Sequence, residues 1–247
     1  MIAAAPLGWP DALGGDARAE PAERTSEPLW EVPPVVFWRE PIDGNGNLVT
    51  RELPLPSDAG LTARLPFPVT VRRVPGVAPH AVVTIDENLL PLLEAVRDRD
   101  GVNRRTVDLH LSAPCRSWAP ARMEVIVPHL RRLATYGPGS VTVTGLESDL
   151  LDHLHFAGAP VEVGGRVDRY VLRLYGTGDV DASDLLADRA DLEMLGAGGV
   201  RLPAPVALHA RLYGSGDVIC IGEPDRLDAR RFGRGVLLTE LDAPPAP

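Results

Sequence analysis

Two carboxylates stand at equivalent positions of successive sequence repeats and could act as a catalytic pair. Glu162 and Asp181 each follow a valine in neighbouring segments that resemble each other, and neighbouring strands of a stacked parallel sheet lie about 4.8 Å apart. A carboxyl separation of about 5 Å is typical of retaining glycosidases. Because Arg201 occupies the same position of the next segment, we favour an ordinary row of cross-strand charges over a catalytic pair.

A His-x-His sequence is a second place where chemistry could occur, since two imidazoles on one face of a strand can bind a metal ion. His153 and His155 fall on the inward face by strict alternation, where unpaired imidazoles are costly. We therefore expect a one-residue shift of register that turns Leu154 and Phe156 inward and both histidines outward, without a bound metal.

Two aspartates belong to Gly-x-Gly-Asp-Val sequences that resemble a calcium-binding repeat. Such calcium repeats have a period of about nine residues, which this chain lacks. Asp179 and Asp217 lie two repeats apart, a distance of about 10 Å in a stacked sheet, so they cannot share one ion. We expect each carboxylate to cap nearby backbone N–H groups, and the sequence predicts neither a metal site nor a cofactor.

The composition excludes several function classes. All 25 basic residues are arginine, and the absence of lysine rules out a Walker-A lysine, a Schiff base and a Ser-Lys dyad. The net charge of −9 argues against nucleic acid or an anionic membrane surface as a partner. No apolar stretch is long enough to cross a membrane, and the first residues lack the features of a signal peptide. Two cysteines, Cys115 and Cys220, leave disulfide pairing open.

The elements that would position these residues are short strands arranged in a repeat. Five segments from residue 133 onward align on a common valine, with spacings of 20, 19, 20 and 18 residues. One strand–glycine–strand unit per repeat indicates a solenoid, because each unit has too little apolar surface to fold alone. The sequence therefore predicts an all-β fold, a single-stranded parallel β-helix (β-solenoid) with coils of about 18–20 residues. The common valines, expected to stack inside it, are Val141, Val161, Val180, Val200 and Val218.

Pairs of glycines in a Gly-x-Gly pattern mark one corner of each coil. Glycine is needed at such a corner either for a positive φ or for the close approach of two backbones. We therefore interpret the pairs, and the two aspartates that follow some of them, as structural. These corner residues are Gly137 and Gly139, Gly176, Gly178 and Asp179, Gly196 and Gly198, and Gly214, Gly216 and Asp217.

Aromatic residues recur immediately before the corners, and the alternation of the strands places them outward. Stacked coils would align their rings in an external column, which could stack sugar rings or an apolar partner. Alternatively, the column is covered by a second subunit or by aromatic residues of the N-terminal segment, because soluble proteins rarely leave such a stripe bare. The column comprises Tyr136, Phe156, Tyr175 and Tyr213, with Leu195 in the fourth repeat, and the N-terminal aromatic residues are Trp9, Trp30, Phe37 and Trp38.

Composition divides the chain into three parts. Residues 1–40 form a Pro/Ala-rich extension with an aromatic patch, 41–224 form the β-helix domain with clear repeats over 133–224, and 225–247 form a C-terminal cap and tail. Within the domain, Glu87–Arg97 has the pattern of a short helix, which Pro91 limits to about two turns.

Taken in chain order, these motifs resemble the GIN-domain family of auto-transporter adhesin heads. The resemblance covers about residues 44–224 and rests on the Gly-x-Gly-Asp-Val unit together with Gly44–Leu55, Asp86–Leu93, Met123–Leu130 and the closing Gly222–Pro224. It implies a right-handed single-stranded β-helix, a place on secreted or lipid-anchored bacterial proteins, and no established catalytic activity. The Pro-rich N-terminus, the missing export signal and the aromatic residues before the corners depart from the family pattern.

We therefore predict a non-enzymatic binding or structural module of a bacterial cell-envelope or surface assembly. Its partner would be a protein or a glycan, and we expect self-association, without nucleic acid binding or membrane insertion. Two alternatives stay open at this point. One is a polysaccharide-acting β-helix enzyme, and the other is a cytoplasmic scaffold that oligomerises.

Overall fold

The structure, a computed structural model, describes residues 40–57, 60–97, 106–117 and 119–240. These residues are almost entirely β, with one short 3-10 turn at Leu90–Leu92. The strands are β1 (Ile42–Asp43), β2 (Leu48–Pro54), β3 (Gly60–Ala63), β4 (Val69–Arg73), β5 (His80–Asp86), β6 (Leu93–Arg97), β7 (Thr106–Leu111), β8 (Cys115–Arg116), β9 (Arg122–Val127), β10 (Arg132–Thr135), β11 (Val141–His155), β12 (Val161–Leu174), β13 (Val180–Asp181), β14 (Leu185–Met194), β15 (Val200–Pro203), β16 (Ala207–Leu212), β17 (Val218–Ile221), β18 (Arg226–Arg231) and β19 (Leu237–Glu240).

From β10 onward the chain adds one coil at a time, and each coil contributes to two parallel ladders. One ladder runs through β10, the end of β11, the end of β12, β14, β16 and β18. The other runs through the beginnings of β11 and β12 and then β13, β15, β17 and β19. The long strands β11 and β12 bend from one ladder into the other at Gly145 and Gly165, whose φ angles are 66° and 138°. Glycine adopts this positive-φ conformation without steric cost.

The five valines of the repeat form one column in the interior. Val141 pairs with Val161, Val161 with Val180, Val180 with Val200, and Val200 with Val218. All five side chains are buried, and the next rung adds Leu237 opposite Val218. The predicted β-solenoid and its valine register are therefore confirmed.

The first coils do not stack in chain order. Strand β3 lies between β7 and β10, and β4 lies between β9 and β11, all in parallel. The coil formed by β7 and β9 therefore sits beneath the coil that precedes it in sequence. Antiparallel pairing of β2 with β5, β5 with β9, and β6 with β7 completes this end.

The segment Glu87–Arg97 does not form the expected helix. It contains the 3-10 turn Leu90–Leu92, and then Leu93–Arg97 forms strand β6, which pairs antiparallel with β7. The helix prediction was wrong because an open strand edge offered this segment a full set of backbone partners, and pairing in the sheet outweighed its helix-like spacing.

The Gly-Asn-Gly-Asn loop at Gly44–Asn47 is held by one buried carboxylate. Asp86 accepts a 2.7 Å hydrogen bond from the Gly46 backbone N–H through Oδ1 and a hydrogen bond from the Ser117 hydroxyl through Oδ2. A Cβ on Gly44 would overlap the Asp86 carboxylate. The two upstream motifs, Gly44–Leu55 and Asp86–Leu93, therefore meet in the structure, and the hydrogen bonds of Asp86 connect loops that are distant in sequence.

The coil stacking continues beyond residue 224. Strand β18 pairs with β16 and β19 pairs with β17, so the Phe232-Gly233-Arg234-Gly235 sequence forms one more corner with the same pattern as the earlier ones. Sequence comparison of the repeats missed this coil because Val236 occupies the corner aspartate position and Leu237 replaces the common valine. Residues 1–39 and 241–247 lie outside the described residues.

Candidate functional site

The outward residues before the corners form a stack of parallel rings, which we call the aromatic column. The ring centroids of Tyr136 and Phe156 lie 4.7 Å apart with an interplanar angle of 7°, and those of Phe156 and Tyr175 lie 4.5 Å apart at 4°. Leu195 interrupts the stack, which resumes with Tyr213 and Phe232 at 4.8 Å and 8°. The parallel register of the coils imposes this spacing, because the separation of the rings equals that of adjacent strands.

The ends of the column were not identified from the sequence. The Arg64 guanidinium lies 4.6 Å from the centroid of the Tyr136 ring, in a cation–π contact. At the other end, Phe232 is 64% exposed. The Gly-x-Gly after Phe232 was the signal that could have revealed the additional rung. Arg64 precedes no Gly-x-Gly pair, so its place in the column becomes visible only through the pairing of β3 with β10.

The stacking decides which part of each ring is accessible. Phe156 lies between two rings, whereas Tyr175 and Tyr213 each have one face against a ring and the other toward the rung of Leu195, so these rings expose mainly their edges. Phe156, Tyr175 and Tyr213 are 41%, 40% and 44% exposed. Ring edges carry partial positive charge, so they suit oxygen atoms of a ligand better than a stacked sugar ring. Among the described residues, the outer face of Phe232 is the ring face best placed for stacking.

A charged groove of about 320 Å3 lies beside the aromatic column on the same face. Its closest row holds Arg173, Glu193, Arg211 and Arg230 in register, two residues before the rings. The next row holds Asp191, His209 and Asp228. The groove is shallow and lined by side chains of both signs, which fits a contact surface for an extended ligand rather than an enclosed pocket.

Paired charges fill one end of this groove. Asp191 Oδ2 lies 2.7 Å from Arg169 Nε and Asp191 Oδ1 lies 2.9 Å from Arg189 Nη2. Partial burial works to raise the pKa of Asp191, but hydrogen bonds from Arg189 and Arg169 outweigh it and lower the pKa below its ordinary value. Asp152 joins Arg132 and Arg173 at 3.1 and 3.0 Å. These ion pairs neutralise the part of the groove that the earlier coils form.

The corner glycines serve the close approach of successive coils. A Cβ on Gly196 would overlap the Gly176 carbonyl oxygen, and a Cβ on Gly216 would overlap that of Gly198. The same overlap with the preceding coil arises at the other predicted corner glycines. Of the two reasons open from the sequence, backbone proximity therefore applies, since the positive-φ glycines lie elsewhere among the described residues.

The two corner aspartates each bond to the following coil. Asp179 Oδ1 accepts a hydrogen bond of 2.8 Å from the Gly199 N–H, and Asp217 Oδ1 accepts one of 2.8 Å from the Val236 N–H. Both N–H groups occupy the equivalent corner position one coil later. The carboxylates therefore satisfy backbone donors at the coil junctions, and they do not converge on a common point.

The structure contradicts the expected register shift at the two histidines. His153 and His155 are fully buried, and Phe156 faces outward. His155 Nε2 donates to the Gly178 carbonyl at 3.1 Å, so its Nδ1 accepts from the Thr135 hydroxyl at 2.6 Å. His153 Nδ1 lies 3.0 Å from the Tyr170 hydroxyl. The shift was wrong because these inward polar groups, contributed by neighbouring coils, supply the partners that the imidazoles lacked in the sequence argument.

Burial strongly affects the titration of this internal cluster. Burial, with a smaller contribution from His155, lowers the pKa of His153 to about 3. Burial also lowers the pKa of His155, although its bond to Gly178 and the charge of Asp179 oppose the shift. Burial raises the pKa of the Tyr170 hydroxyl. His153 Nε2 is buried without a hydrogen-bond partner, so the cluster is a neutral polar core rather than a reactive site.

Glu162 and Asp181 are paired neighbours, as the repeat indicated. Asp181 accepts hydrogen bonds from the backbone N–H and the hydroxyl of Ser183, at 2.9 and 2.5 Å. Arg201 is next in register but pairs with Glu240 at 2.7 Å. Cys115 and Cys220 are both unpaired thiols. Across the described residues, no group of three acidic, histidine or cysteine side chains could hold a metal ion.

With this geometry established, the known families can be compared. The family described as "Putative auto-transporter adhesin, head GIN domain" matches residues 61–224. The chain belongs to the GIN-domain family. Its match spans the parallel coils from β3 to β17 and ends just before β18, so the last described coil, with Phe232, lies outside the region that defines the GIN domain.

Solved structures with similar folds come from Bacteroides and Parabacteroides species. A putative adhesin from Bacteroides fragilis has a TM-score of 0.63 at 16% identity, with 81% of this chain and 100% of that chain covered. A putative adhesin from Parabacteroides distasonis has a TM-score of 0.54 at 13% identity, with 81% and 99% covered. One from Parabacteroides merdae has a TM-score of 0.51 at 15% identity, with 81% and 99% covered. At these identities the likeness shows a shared fold. Among curated proteins, none matches this GIN-domain chain.

No helix in the described part of this GIN domain is long and apolar enough to cross a membrane.

Proposed function

We propose that this GIN domain is a non-enzymatic binding module of a bacterial cell-envelope or surface assembly, and that its ligand contacts the aromatic column and the adjoining groove. One observation carries the proposal. The column is a row of aligned, partly exposed rings beside an open charged groove, and exposed apolar stripes bounded by polar side chains are typical of interaction sites.

The family and the fold support the same function. The family is described as an auto-transporter adhesin head, and the structures from Bacteroides fragilis and Parabacteroides merdae are called putative adhesins. An adhesin-like function would be carried out at the cell envelope or outside the cell. A long stacked coil suits this role because it presents one extended face to a partner.

The catalytic alternative depends on Glu162 and Asp181. Asp181 accepts hydrogen bonds from the backbone N–H and the hydroxyl of Ser183 in its own turn, and the charged groove lies on the other ladder. This arrangement favours binding over hydrolysis. If the wild-type chain released reducing ends from a polysaccharide, and Glu162→Gln and Asp181→Asn abolished that release without unfolding, the non-enzymatic proposal would be overturned.

A binding assay with paired variants tests the proposal. The labelled full chain is applied to isolated bacterial envelopes and to an array of neutral and acidic glycans. Replacing Tyr175 and Tyr213 together by alanine should weaken binding by about tenfold or more, since each lost aromatic contact costs roughly 1 kcal/mol. Leu186→Ala is the matched control, because Leu186 is 55% exposed but lies outside the column. Equal binding by the folded double variant and the wild type would exclude the column as the binding surface.

We also expect the chain to self-associate through the aromatic column. Sedimentation of the full chain over a range of concentrations measures it directly. A mass that rises with concentration in the wild type, but not in the Tyr175 and Tyr213 double variant, would assign the contact to the column.

A further inference from the structure

Unpaired arginines are concentrated at the C-terminal end of the aromatic column. Arg211, Arg226, Arg231 and Arg234 are exposed, and within the described residues none of them has an ion pair or a side-chain hydrogen bond. Most arginines of the earlier coils have an acidic partner, such as Arg169 with Asp191. Apart from these four, Arg122 on β9 is the other described arginine without such a contact.

Few carboxylates stand at the outward positions beside these arginines: on β16 and β18 those positions hold Arg211, Arg226 and Arg230, with Asp228 as their one carboxylate. Arg211 and Arg230 are adjacent in register, and Asp228 lies 3.6 Å from Arg230 Nε and 3.8 Å from His209 Nδ1. This end of the face is therefore positive although the whole chain carries a net charge of −9. An anionic ligand would be attracted here and repelled by most of the remaining surface.

The column offers complementary contacts to such a ligand at the same place. Phe232 is the most exposed ring, and its outer face is available to the apolar C–H face of a sugar. The edges of the stacked rings, including Tyr213, point outward with partial positive charge. Guanidinium groups bind carboxylates through two parallel hydrogen bonds. Because these groups repeat with the spacing of the coils, they fit a linear ligand whose sugars and charges also repeat.

A second copy of the chain fits this end poorly. Among the described residues strand β18 has a partner on one edge only, and symmetric antiparallel pairing of two copies about Asp228 would set Arg226 opposite Arg230. Like charges directly opposite each other destabilise a strand pair, and charged side chains on an edge strand oppose edge-to-edge association. The arginines therefore disfavour a dimer at this end and favour an anionic occupant.

We infer that the C-terminal coils of this GIN domain bind a carboxylated polysaccharide, with carboxylates on Arg211 and Arg234 and a sugar ring on Phe232. This inference rests on the proposed binding function and names its ligand class. Binding requires a chain of several acidic sugars, since a single sugar reaches too few of these groups. It weakens as salt concentration rises, because exposed charge pairs are screened.

Titration calorimetry of the full chain with alginate, a polymer of uronic acids, tests the inference. Neutral dextran of similar length and double-stranded DNA are the comparison ligands. We expect binding to alginate, little or none to dextran or DNA, and an affinity loss of about tenfold or more in the Arg211→Ser, Arg234→Ser double variant. Arg122→Ser is the matched control, since it removes one unpaired arginine from the opposite end of the stack and should leave the affinity unchanged. Phe232→Ala should also weaken binding.

Each contrary outcome has a distinct meaning. Absence of alginate binding, or alginate binding that survives the double variant, overturns the inference, whether or not the chain binds envelopes through the column. DNA binding that responds to the same variants would mean a general polyanion surface and also overturns the carboxylated-sugar class. Equal binding of dextran and alginate would reject the acidic class but leave the proposed binding function in place. If neither envelopes nor any glycan bind, the proposed function itself fails. Thermal unfolding of each variant confirms that a lost affinity is not a lost fold.

Discussion

His153 illustrates how one buried side chain can couple this fold to pH. The imidazole is fully buried between Leu133 and Leu172 of the adjacent coils, with one nitrogen near the Tyr170 hydroxyl and the other without a partner. A neutral imidazole is tolerated there because its Nδ1 lies within hydrogen-bond distance of the Tyr170 hydroxyl. A charged imidazole would require solvent that the packed interior does not admit.

Acid should therefore destabilise the protein through its internal histidines. The folded-state pKa of His153 is about 3, and that of an unfolded histidine is about 6.5. Stability is fully present above the unfolded pKa and is lost as pH falls below it, because only the unfolded chain takes up the proton. Each such histidine contributes a slope of up to about 1.4 kcal/mol per pH unit. Urea unfolding at pH 7.5, 6, 5 and 4 measures this slope.

A paired substitution assigns the slope to the cluster. His153→Leu combined with Tyr170→Phe removes both members of the polar pair and retains inward apolar side chains, which often costs little stability. The double variant should lose less stability between pH 6.5 and 4 than the wild type does. An unchanged slope would mean that other groups, such as paired carboxylates on the surface, determine the acid sensitivity.

At the scale of elements, the corners limit how closely the coils can approach. The Gly176 carbonyl accepts hydrogen bonds from Ala197 and Gly198 of the next coil, at 3.1 and 3.4 Å. The coil with Ala157 and Ala159 at the corner positions makes no such backbone bond to the coil before it among the described residues. Two methyl groups at a corner are therefore accommodated by giving up these hydrogen bonds.

This comparison predicts the effect of adding one methyl group at a corner. Gly196→Ala should lower the free energy of unfolding by about 1–3 kcal/mol, since its Cβ would overlap the Gly176 carbonyl oxygen. Gly158→Ala is the matched control, because its Cβ meets only the Thr177 hydroxyl at 3.3 Å. Chemical denaturation of both variants measures the difference. Equal losses in the two variants would contradict the close-approach explanation.

At the scale of the whole molecule, one prediction from the sequence is that aromatic side chains of residues 1–40 cover the column. Trp9, Trp30, Phe37 and Trp38 lie outside the described residues, so their predicted cover over the column remains a prediction. If they cover it, deletion of residues 1–40 should increase the binding of a hydrophobic dye and promote association, because an apolar stripe becomes exposed. Dye fluorescence and sedimentation compare the two chains. A truncated protein that stays monomeric and binds no dye would contradict the cover and favour a column that is open to ligands.

The sequence by itself determined the solenoid, its valine register and the alignment of the aromatic residues. These features depend on the repeat length and on strand alternation, which are local properties: once Val180 faces inward and Val200 occupies the same place one coil later, Tyr175 must lie on the outer face. The tertiary structure decided what depends on groups distant in sequence. Pairing with β7 turned the expected helix at Leu93–Arg97 into a strand.

The same physical reason applies to the site. The burial of His153 depended on Tyr170 in the next coil, and the role of Gly196 depended on a carbonyl of the coil before it. Spacing could place the rings in one row, but whether a ring presents its face or its edge depends on how the side chains pack once the coils have stacked. Only the stacked coils therefore revealed that neighbouring rings occupy each other's faces and that, among the described residues, Phe232 is the last ring of the column.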